Sequence, residues 1–212
     1  MTMPIVHGPA YSGHVRVVRI CLAEKKVEAE LREIDLLRGE ARKPAHRKLH
    51  PFGKVPVFEH NGHVIYETVP IARYIDAVFS GPALQPSDPV AAARMNQILA
   101  VLETYIHPLM IGQVVMQYAR RRYLGRPLNR GAIQKAMPQL RDGFAALERL
   151  MGDGAFVVGP SLTLADIFLG AFLDPFTRTP EGKRSLPKFA KIERWWEGFR
   201  NRPSMQATAI EI

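Results

Sequence analysis

The stretch "HPFGKVPVFEHNGHVIYETVPIARYID", residues 50–76, decides the fold of the first part of the chain. It contains two short β-type runs separated by Asn61-Gly62, a dipeptide that favours the positive φ angles of a tight antiparallel hairpin. From Ile71 onward, apolar residues recur at helical spacing, which predicts an amphipathic helix that begins near Glu67. The stretch therefore predicts a β-β-α unit.

A β-α-β pattern precedes this unit. Ile5–His7 predicts a short strand, and apolar residues then recur at helical spacing as far as Leu22. A second strand is predicted at about Glu30–Leu36, followed by an irregular basic crossover over residues 37–54. The order β-α-β, then β-β-α, resembles a thioredoxin-like domain over about residues 1–80.

The rest of the chain is predicted to be all helical. The segment "SGPALQPSDP" is rich in proline and predicts a linker at about residues 81–89. A helical-bundle domain is expected over 90–212, with one long helix that bends or breaks at Pro108. The predicted fold class is thus α+β: a thioredoxin-like N-terminal domain followed by an all-α C-terminal domain.

One helix of this second domain has a distinct start signal. In "SLTLADIFLGAFL", Thr163 precedes Asp166 by three residues, the spacing of a capping box. Asp166 is therefore interpreted as a cap and folding element rather than a catalyst. A last helix is predicted from the spacing of Phe189, Ile192 and Phe199.

Composition favours an ordinary soluble protein. Of 212 residues, 47% are apolar and 23% are charged. The absence of an uninterrupted apolar run of 18 residues predicts no membrane span. The single cysteine, Cys21, forms no internal disulfide, and no zinc-type Cys/His spacing is present, so no metal is expected. A reducing, cytoplasmic setting fits best, with Cys21 in a buried helix interior.

The net charge is +9, and its densest source is the run "ARRRYLGRPLNR" at 119–130. A basic surface attracts nucleic acid or acidic small molecules. The run is interpreted as a solvated helix end, where arginine complements the helix dipole, and nucleic acid is not an expected partner.

The thioredoxin-like domain is predicted to bind a ligand rather than to do redox chemistry, because the chain has no Cys-x-x-Cys pair. Val55-Pro56 begins the hairpin, where such domains carry a cis proline. A cis bond exposes the N–H and C=O of Val55 to a peptide-like ligand. The alternative is an ordinary trans proline on an edge strand.

Four ordered motifs carry a resemblance to a known family: "SGHVRVVRICLAEKK", "IDLLRGEARKP", the stretch 50–76, and "SLTLADI". Together they resemble the cytosolic glutathione transferases, particularly the phi and theta classes. The resemblance spans the whole chain. It implies glutathione as co-substrate, a homodimer joined through the 67–79 and 88–118 helical regions, and a role in detoxification.

The resemblance implies that several residues bind glutathione. Glu67 and Thr68 match the pair that holds the γ-glutamyl end, at a helix N-terminus that favours a carboxylate. The backbone of Val55, held by Pro56, pairs with the cysteinyl segment, and Lys54 lies near the glycyl carboxylate.

Three positions depart from the family pattern. Thr68 replaces the usual serine and keeps the hydroxyl. Ala41 replaces a histidine, so Arg42 or Lys43 is expected to substitute for that contact. His50 replaces the usual asparagine before Pro51, and the sequence offers no account of this change.

Ser12 is the predicted catalytic residue. A free thiol titrates at about pH 8.5, so little thiolate exists at neutral pH. A hydroxyl that donates to sulfur stabilises the thiolate, as does the start of the following helix. Serine therefore needs no histidine base here.

The electrophile is expected to bind between the two domains, opposite Ser12. The candidate lining residues are aromatic or methionine: Tyr11, Tyr105, Met110, Met116, Tyr118 and Phe172. Such residues are also common in plain hydrophobic cores.

The predicted function is conjugation of glutathione thiolate to hydrophobic electrophiles, with dehalogenation as a variant. Two alternatives stay open. One is a non-catalytic binding module of the same fold, associated with a macromolecular partner, which the positive charge favours. The other is a glutathione-dependent reductase of peroxides or disulfides, disfavoured because Tyr11 stands where a cysteine nucleophile would be.

Overall fold

The structure, a computed structural model, describes residues 2–210 and divides into two compact units. The first unit contains the described residues up to Leu84 together with 203–210. The second unit is Gln85–Arg202. The segment after 202, which the sequence analysis assigned to the helical domain, thus groups with the first unit.

The first unit is built on a four-stranded mixed sheet. Its strands are β1 (Ile5–His7), β2 (Glu30–Arg32), β3 (Val57–His60) and β4 (His63–Tyr66), in the order β2-β1-β3-β4. β1 pairs parallel with β2 and antiparallel with β3, and β3 pairs antiparallel with β4. Asn61 and Gly62 form the hairpin turn with φ of 49° and 79°, which confirms the predicted positive φ angles.

Four helices belong to this unit: α1 (Gly13–Glu24), α2 (Pro44–Arg47), α3 (Thr68–Val78) and α10 (Pro203–Ala207). β2 is shorter than predicted because its only neighbour, β1, has three residues, which pair with Glu30–Arg32. The crossover is also less irregular than predicted. It contains a 3₁₀ turn over Glu40–Arg42 and then α2, with proline at its first position, where no N–H is needed.

A buried ion pair joins α1 to α3. Lys25 Nζ lies 2.7 Å from Asp76 Oδ1, and the two side chains are 2% and 8% exposed. Asp76 Oδ1 also accepts a hydrogen bond from the Leu84 N–H at 2.8 Å. The pair therefore fixes the first residues of the linker to the sheet-bearing unit.

The segment after residue 202 packs on α1. Arg16, 1% exposed, donates to the Met205 carbonyl at 3.1 Å and to the Thr208 hydroxyl at 3.5 Å. The Ser204 hydroxyl donates to Glu24 Oε1 at 2.6 Å. Arg16 thus has a structural role within its unit, and α10, which was not predicted, completes that unit.

The second unit is helical, as predicted. Its α-helices are α4 (Pro89–Val101), α5 (Met116–Leu124), α6 (Arg130–Leu150), α7 (Leu164–Thr177), α8 (Pro180–Ser185) and α9 (Ala190–Phe199). α7 is buried along Leu164–Phe176 and forms the centre of the unit. Between α4 and α5 the chain is π-helical over Leu102–Ile106 and Pro108–Val115. This departure from α-helical hydrogen bonding flanks Pro108, which has no N–H, but the helical stretch Pro89–Leu124 continues through it. The helix is therefore locally altered near Pro108 and not broken there.

The capping box of α7 is present. The Asp166 carboxylate accepts from the Thr163 N–H at 2.9 Å and the Thr163 hydroxyl at 2.8 Å. It also accepts from the Val157 N–H at 2.7 Å and from Trp195 Nε1–H at 2.8 Å. Asp166 is fully buried, so these four donors replace the water that its carboxylate has lost. Its predicted role as a folding element agrees with this geometry.

The helical stretch Pro89–Leu124 is long and apolar enough to cross a membrane by length and composition alone. An 18-residue window has a mean hydropathy of 1.5, and 39% of that window is buried inside the protein. Buried residues such as Ile98, Leu102 and Met110 belong to the core of the helical unit. One such helix is weak evidence for a membrane span, because the core helices of other proteins share this length and composition. The expectation of no membrane span stays a prediction.

Candidate active site

The sheet brings the predicted site residues together at one end of its strands. His7, the last residue of β1, pairs with Val57, the first of β3, and Val57 pairs with Tyr66, the last of β4. The segments that follow β1, precede β3 and follow β4 therefore lie side by side. These segments contain Ser12, Val55-Pro56 and Glu67-Thr68, respectively.

Gly8 determines how closely these segments pack. Its φ is 139°, and a Cβ at this position would lie 2.5 Å from Val15 Cγ2 and 3.0 Å from Val55 Cβ. Only glycine therefore allows the first turn of α1 and the loop before β3 to pack against the end of β1. This contact brings the Ser12 turn next to Val55.

Ser12 is the N-cap of α1. Its φ and ψ are −71° and 125°, and its Oγ accepts a hydrogen bond from the Val15 N–H at 3.5 Å. The hydroxyl oxygen is thus used as an acceptor, whereas its hydrogen is available to a ligand. The half-buried side chain lies at the positive end of the helix dipole, which favours a negatively charged partner.

The Val55-Pro56 peptide bond is cis, as the sequence analysis predicted. Within residues 2–210, neither the N–H nor the C=O of Val55 forms a hydrogen bond. Both groups lie just outside the ladder of β3, which begins at Val57. A peptide-like ligand could therefore use them.

Glu67 and Thr68 form the start of α3. Glu67 is the N-cap and has φ 70°, an unusual conformation for a residue with a side chain, and its side chain is 55% exposed. Strained residues of this kind cluster at functional sites. Thr68, 6% exposed, is the first helical residue, where the backbone N–H groups lack intrahelical acceptors. Together they offer an exposed carboxylate beside an anion-binding helix end.

Two histidines, His46 and His50, hold the loop before β3 in place. Only His50 was singled out from the sequence. His46 is 5% exposed, and its Nε2 donates to the Lys54 carbonyl at 2.7 Å. Its ring lies 6.5 Å from that of His50 between centroids. The four-residue spacing of the two histidines was the available signal, because it places them on one face of a helical turn.

The structure gives an account of His50. Its side chain is buried, its ring lies 4.9 Å from the Tyr66 ring, and its Nε2 lies 3.9 Å from Glu67 Oε1. Burial lowers the pKa of His50, and His46 and Lys54 lower it further, whereas Glu67 opposes them. His50 thus fills the space between the loop and the start of α3, beside the Glu67 carboxylate.

Two cations, Arg42 and Lys54, lie in or beside the loop that precedes β3. A Cβ on Gly53 would lie 2.8 Å from the Ala41 carbonyl oxygen and 3.6 Å from Arg42 Cα. The loop before β3 therefore contacts the 3₁₀ turn over Glu40–Arg42. Lys43 Nζ lies 3.4 Å from Glu40 Oε1, whereas no ion pair of Arg42 or Lys54 is present in the described part of the chain. Of the two substitutes predicted for the lost histidine, Arg42 is therefore the better placed.

The residues predicted to line the electrophile pocket differ widely in exposure. Tyr11 and Tyr105 are 48% and 64% exposed. Met110 and Phe172 are fully buried in the helical unit, while Met116 and Tyr118 are half-buried. Their role in substrate binding stays a prediction.

Cys21 is fully buried in α1, as predicted. Burial, with Asp76 and Glu24 nearby, raises the pKa of its thiol far above the usual value. The thiol therefore stays protonated and unreactive.

A thioredoxin-like unit that lacks a cysteine pair, carries a helix-capping hydroxyl beside a cis-prolyl backbone, and precedes a helical unit defines the class of glutathione transferases. The sequence profiles described as "Glutathione S-transferase, N-terminal domain" and "Glutathione S-transferase, C-terminal domain" match residues 10–77 and 130–200.

Relatives and solved structures agree with these profiles. Glutathione S-transferase F10 of Arabidopsis thaliana is 29% identical over 97% of this chain and 96% of its own. A glutathione S-transferase of Pseudomonas putida is 33% identical over 76% and 70%. The crystal structure of poplar glutathione transferase F1 superposes with a TM-score of 0.86 at 26% identity, over 98% of this chain and 97% of that one. The chain belongs to the glutathione S-transferase family.

The predicted fold class and family are thereby confirmed. The protein is a transferase that uses glutathione as co-substrate and conjugates it to electrophiles. The alternative of a non-catalytic binding module is not favoured, since full-length relatives in this family are glutathione transferases.

Proposed function

We propose that Ser12 donates a hydrogen bond to the sulfur of glutathione and holds it as the thiolate. The observation that carries this proposal is the geometry of the α1 cap. Ser12 Oγ accepts from the Val15 N–H, so its own hydrogen is directed elsewhere. A hydrogen bond to the anion and the adjacent helix dipole both lower the pKa of a bound thiol. The thiolate sulfur then forms a bond to the electrophilic carbon, and the bond to the leaving group breaks, so that a halide departs with its electron pair or an epoxide opens to an alkoxide that takes a proton from water.

The rest of the tripeptide is held by the segments beside Ser12. Glu67 binds the γ-glutamyl ammonium, and the α3 start at Thr68 binds its carboxylate. The N–H and C=O of Val55, positioned by Pro56, pair with the cysteinyl backbone. Lys54 and Arg42 bind the glycyl carboxylate, because this anion needs a cationic partner. Neither cation has an ion pair within residues 2–210.

The substitution Ser12→Ala tests this mechanism. Turnover should fall by about 10- to 1000-fold, because a hydrogen bond to a charged group contributes roughly 1.5–3 kcal/mol and more in a dry site. Glutathione affinity should change little, since the other segments hold both ends. The ultraviolet absorbance of bound thiolate at neutral pH should disappear.

A matched control is Ser80→Ala, which changes an exposed serine just before the linker and should leave both measurements unchanged. If Ser12→Ala leaves turnover and the thiolate signal intact, Ser12 is only a cap. The neighbouring residue Tyr11, which is 48% exposed, would then be the next donor to test.

The electrophiles are proposed to be hydrophobic. Exposed Tyr11 and Tyr105 and the adaptable side chain of Met116 support this chemistry. A panel of aryl halides, epoxides, haloalkanes and organic peroxides, assayed with glutathione, distinguishes conjugation from dehalogenation and from peroxidase activity. Highest activity on peroxides would contradict the proposal.

A homodimer is proposed, joined through the 67–79 and 88–118 regions and the surface beside them. Phe52, Val64 and Tyr66 are 69%, 45% and 38% exposed, an unusual number of large apolar side chains next to α3. Light scattering should give about twice the chain mass of 23.8 kDa. A mass near that of one chain would contradict the proposal.

A cytoplasmic location and a role in detoxification are proposed as well. The buried, unpaired Cys21 supports a compartment that does not depend on disulfides. The proposed domain boundary in the 81–89 linker is supported by the change of unit between Leu84 and Gln85. Localisation of a fluorescent fusion tests the compartment, and a signal confined to membranes would contradict it.

A further inference from the structure

We infer that His50 is a positioning residue for glutathione binding: it orients the Glu67 carboxylate toward the γ-glutamyl ammonium while neutral, and it competes with that ammonium when protonated. The inference rests on the proposed role of Glu67 at this end of glutathione and names the group that holds Glu67. His50 is buried in the loop before β3, and Glu67 is the N-cap of α3. Both residues belong to the first unit.

The Glu67 carboxylate has very little to hold it. Its side chain is 55% exposed and makes no capping hydrogen bond to α3. Within residues 2–210 its one partner at ion-pair distance is His50, with Nε2 3.9 Å from Glu67 Oε1. A carboxylate that must meet an ammonium in one orientation therefore depends on this histidine.

The single proton of neutral His50 lies on the nitrogen that faces Glu67. The imidazole is 2% exposed and is packed against Tyr66 and Phe52, with ring centroids 4.9 and 6.2 Å away. Its Nδ1 is buried and has no hydrogen-bond partner among the described residues. Because a neutral imidazole carries one proton and only Nε2 faces an acceptor, Nε2 is the protonated nitrogen. The Nε2–H can donate to one carboxylate oxygen and leave the other for the ligand.

A small rotation of Glu67 completes this hydrogen bond. At 3.9 Å the two atoms are beyond the usual upper limit of about 3.2 Å for an N–H···O bond. The exposed Glu67 side chain is free to close the gap, whereas His50 is fixed by its packing. An ammonium that binds the second oxygen then holds the carboxylate in place from the other side.

The charged and titratable groups around His50 come from three segments. Burial lowers the pKa of His50 below its usual value of 6.5; Glu67, from the start of α3, opposes this, whereas His46 from α2 and Lys54 from the loop add to it. His46 donates through Nε2 to the Lys54 carbonyl at 2.7 Å. Arg47, also from α2, donates to a backbone carbonyl of the same loop. His50 is therefore mostly neutral at pH 7.

Protonation of His50 should weaken glutathione binding. Below about pH 6.5 it places a cation within ion-pair distance of Glu67, where the ammonium of the ligand must bind. The two cations share one carboxylate and repel each other, so each lowers the affinity for the other. Competition by one proton lowers affinity by at most about 10-fold per pH unit.

The test measures the dissociation constant of S-hexylglutathione by calorimetry between pH 7.5 and 5. This ligand has the γ-glutamyl ammonium but no free thiol, so thiol titration does not enter the result. The affinity of the unaltered protein should fall by about threefold or more over this range. In His50→Asn, which keeps a neutral N–H donor and cannot become charged, the affinity should stay nearly constant with pH.

A second variant, His50→Ala, removes the donor. Its affinity at pH 7.5 should be about 3- to 10-fold lower, the effect of one hydrogen bond, and His50→Asn should restore most of it. The KM for glutathione should rise in His50→Ala, with kcat within about twofold of the unaltered value, because the thiol end of the site is not touched. An equal fall of kcat and affinity would mean that His50 only supports the fold, and would overturn the inference.

The matched control is His60→Asn. His60 is also buried with a lowered pKa, but it lies at the opposite end of β3 and hydrogen-bonds to the Tyr74 hydroxyl at 3.0 Å. This variant should keep the pH-dependent affinity of the unaltered protein. Melting temperatures of all variants report whether each is folded. A constant affinity in His60→Asn as well as in His50→Asn would overturn the assignment to His50.

The variant Glu67→Gln separates this inference from the proposed role of Glu67. It should weaken binding at pH 7.5 by about 10-fold or more, since a charge-assisted bond is lost, and His50→Ala should add no further loss in its background. If Glu67→Gln is impaired but His50→Asn keeps the full pH dependence, the role of His50 alone is overturned. Full affinity in Glu67→Gln would overturn the proposed roles of both residues.

Discussion

Three of the described helices, α1, α7 and α8, have a hydroxyl residue as N-cap, and the hydroxyls of α1 and α7 are used in opposite ways. At α7, Thr163 is 4% exposed, and both its N–H and its O–H donate to Asp166 at 2.9 and 2.8 Å. At α1, Ser12 is half-buried, accepts one long bond of 3.5 Å from the Val15 N–H, and donates no hydrogen bond within residues 2–210.

The difference shows what separates a structural cap from a catalytic one. A hydroxyl whose hydrogen is bonded inside the protein stabilises the fold and has no donor left for a ligand. A hydroxyl that only accepts contributes less to stability, because one weak bond is all it adds, but it retains a donor. Both caps are hydroxyl residues at the N-cap position, but the partner of the hydroxyl hydrogen differs.

The largest effect is expected at the α7 cap. Asp166→Ala removes the acceptor of four buried donors and should lower the free energy of unfolding on the order of 4 kcal/mol, since each unsatisfied buried group costs about 1–3 kcal/mol. Denaturant unfolding followed by tryptophan fluorescence measures this. Asp142→Ala, at an exposed aspartate of α6, is the control and should change stability by less than about 0.5 kcal/mol. A loss below about 1 kcal/mol for Asp166→Ala would contradict the structural role of this cap.

A smaller effect compares the two hydroxyls directly. Thr163→Ala should cost about 2 kcal/mol and Ser12→Ala about 0.5 kcal/mol, the upper and lower ends of the range for N-cap substitutions. The same denaturant titration, applied to both variants, checks the ranking. Equal losses would mean that Ser12 is as much a structural cap as Thr163.

The smallest effect concerns pH and belongs to the unit that carries Ser12. Burial lowers the pKa of both His50 and His60 below the usual 6.5. Their unfolded forms therefore bind protons more readily, so their contribution to stability is present above about pH 6.5 and is lost as the pH falls below it. Each histidine contributes less than about 1.4 kcal/mol per pH unit, the limit for one proton.

Unfolding free energies measured between pH 7.5 and 5 test this dependence. His50→Asn, which restores the residue typical of the family at this position, should flatten the loss of stability at low pH. A steeper loss in His50→Asn than in the unaltered protein would show that burial does not hold this histidine neutral.

Much of this architecture follows from local sequence patterns. The hairpin was predictable because Asn61-Gly62 determines the turn, and the α7 cap because Thr163 and Asp166 have a fixed spacing. The position of Ser12 at the start of α1 followed from the strand-to-helix transition. A local disturbance of the long helix at Pro108 was predictable from the missing N–H, whereas its π-helical form was not.

Other features depend on contacts between distant segments, which a local pattern does not contain. β2 ends early because β1 offers it only three partners. His46 acts through the Lys54 carbonyl, and the account of His50 needed Tyr66 and Glu67 as neighbours.

The hydrogen bonds of Arg16 to Met205 and Thr208 have a consequence for biosynthesis. The sheet-bearing unit is interrupted in sequence by the entire helical unit, so the groups that complete it emerge from the ribosome after Arg202. The helix that presents Ser12 therefore reaches its final packing only after the helical unit has been translated, although Ser12 precedes that unit in the chain. A fragment ending at Leu84 would lack that completing segment. The sheet-bearing unit therefore cannot be completed before the chain of the helical unit has been made.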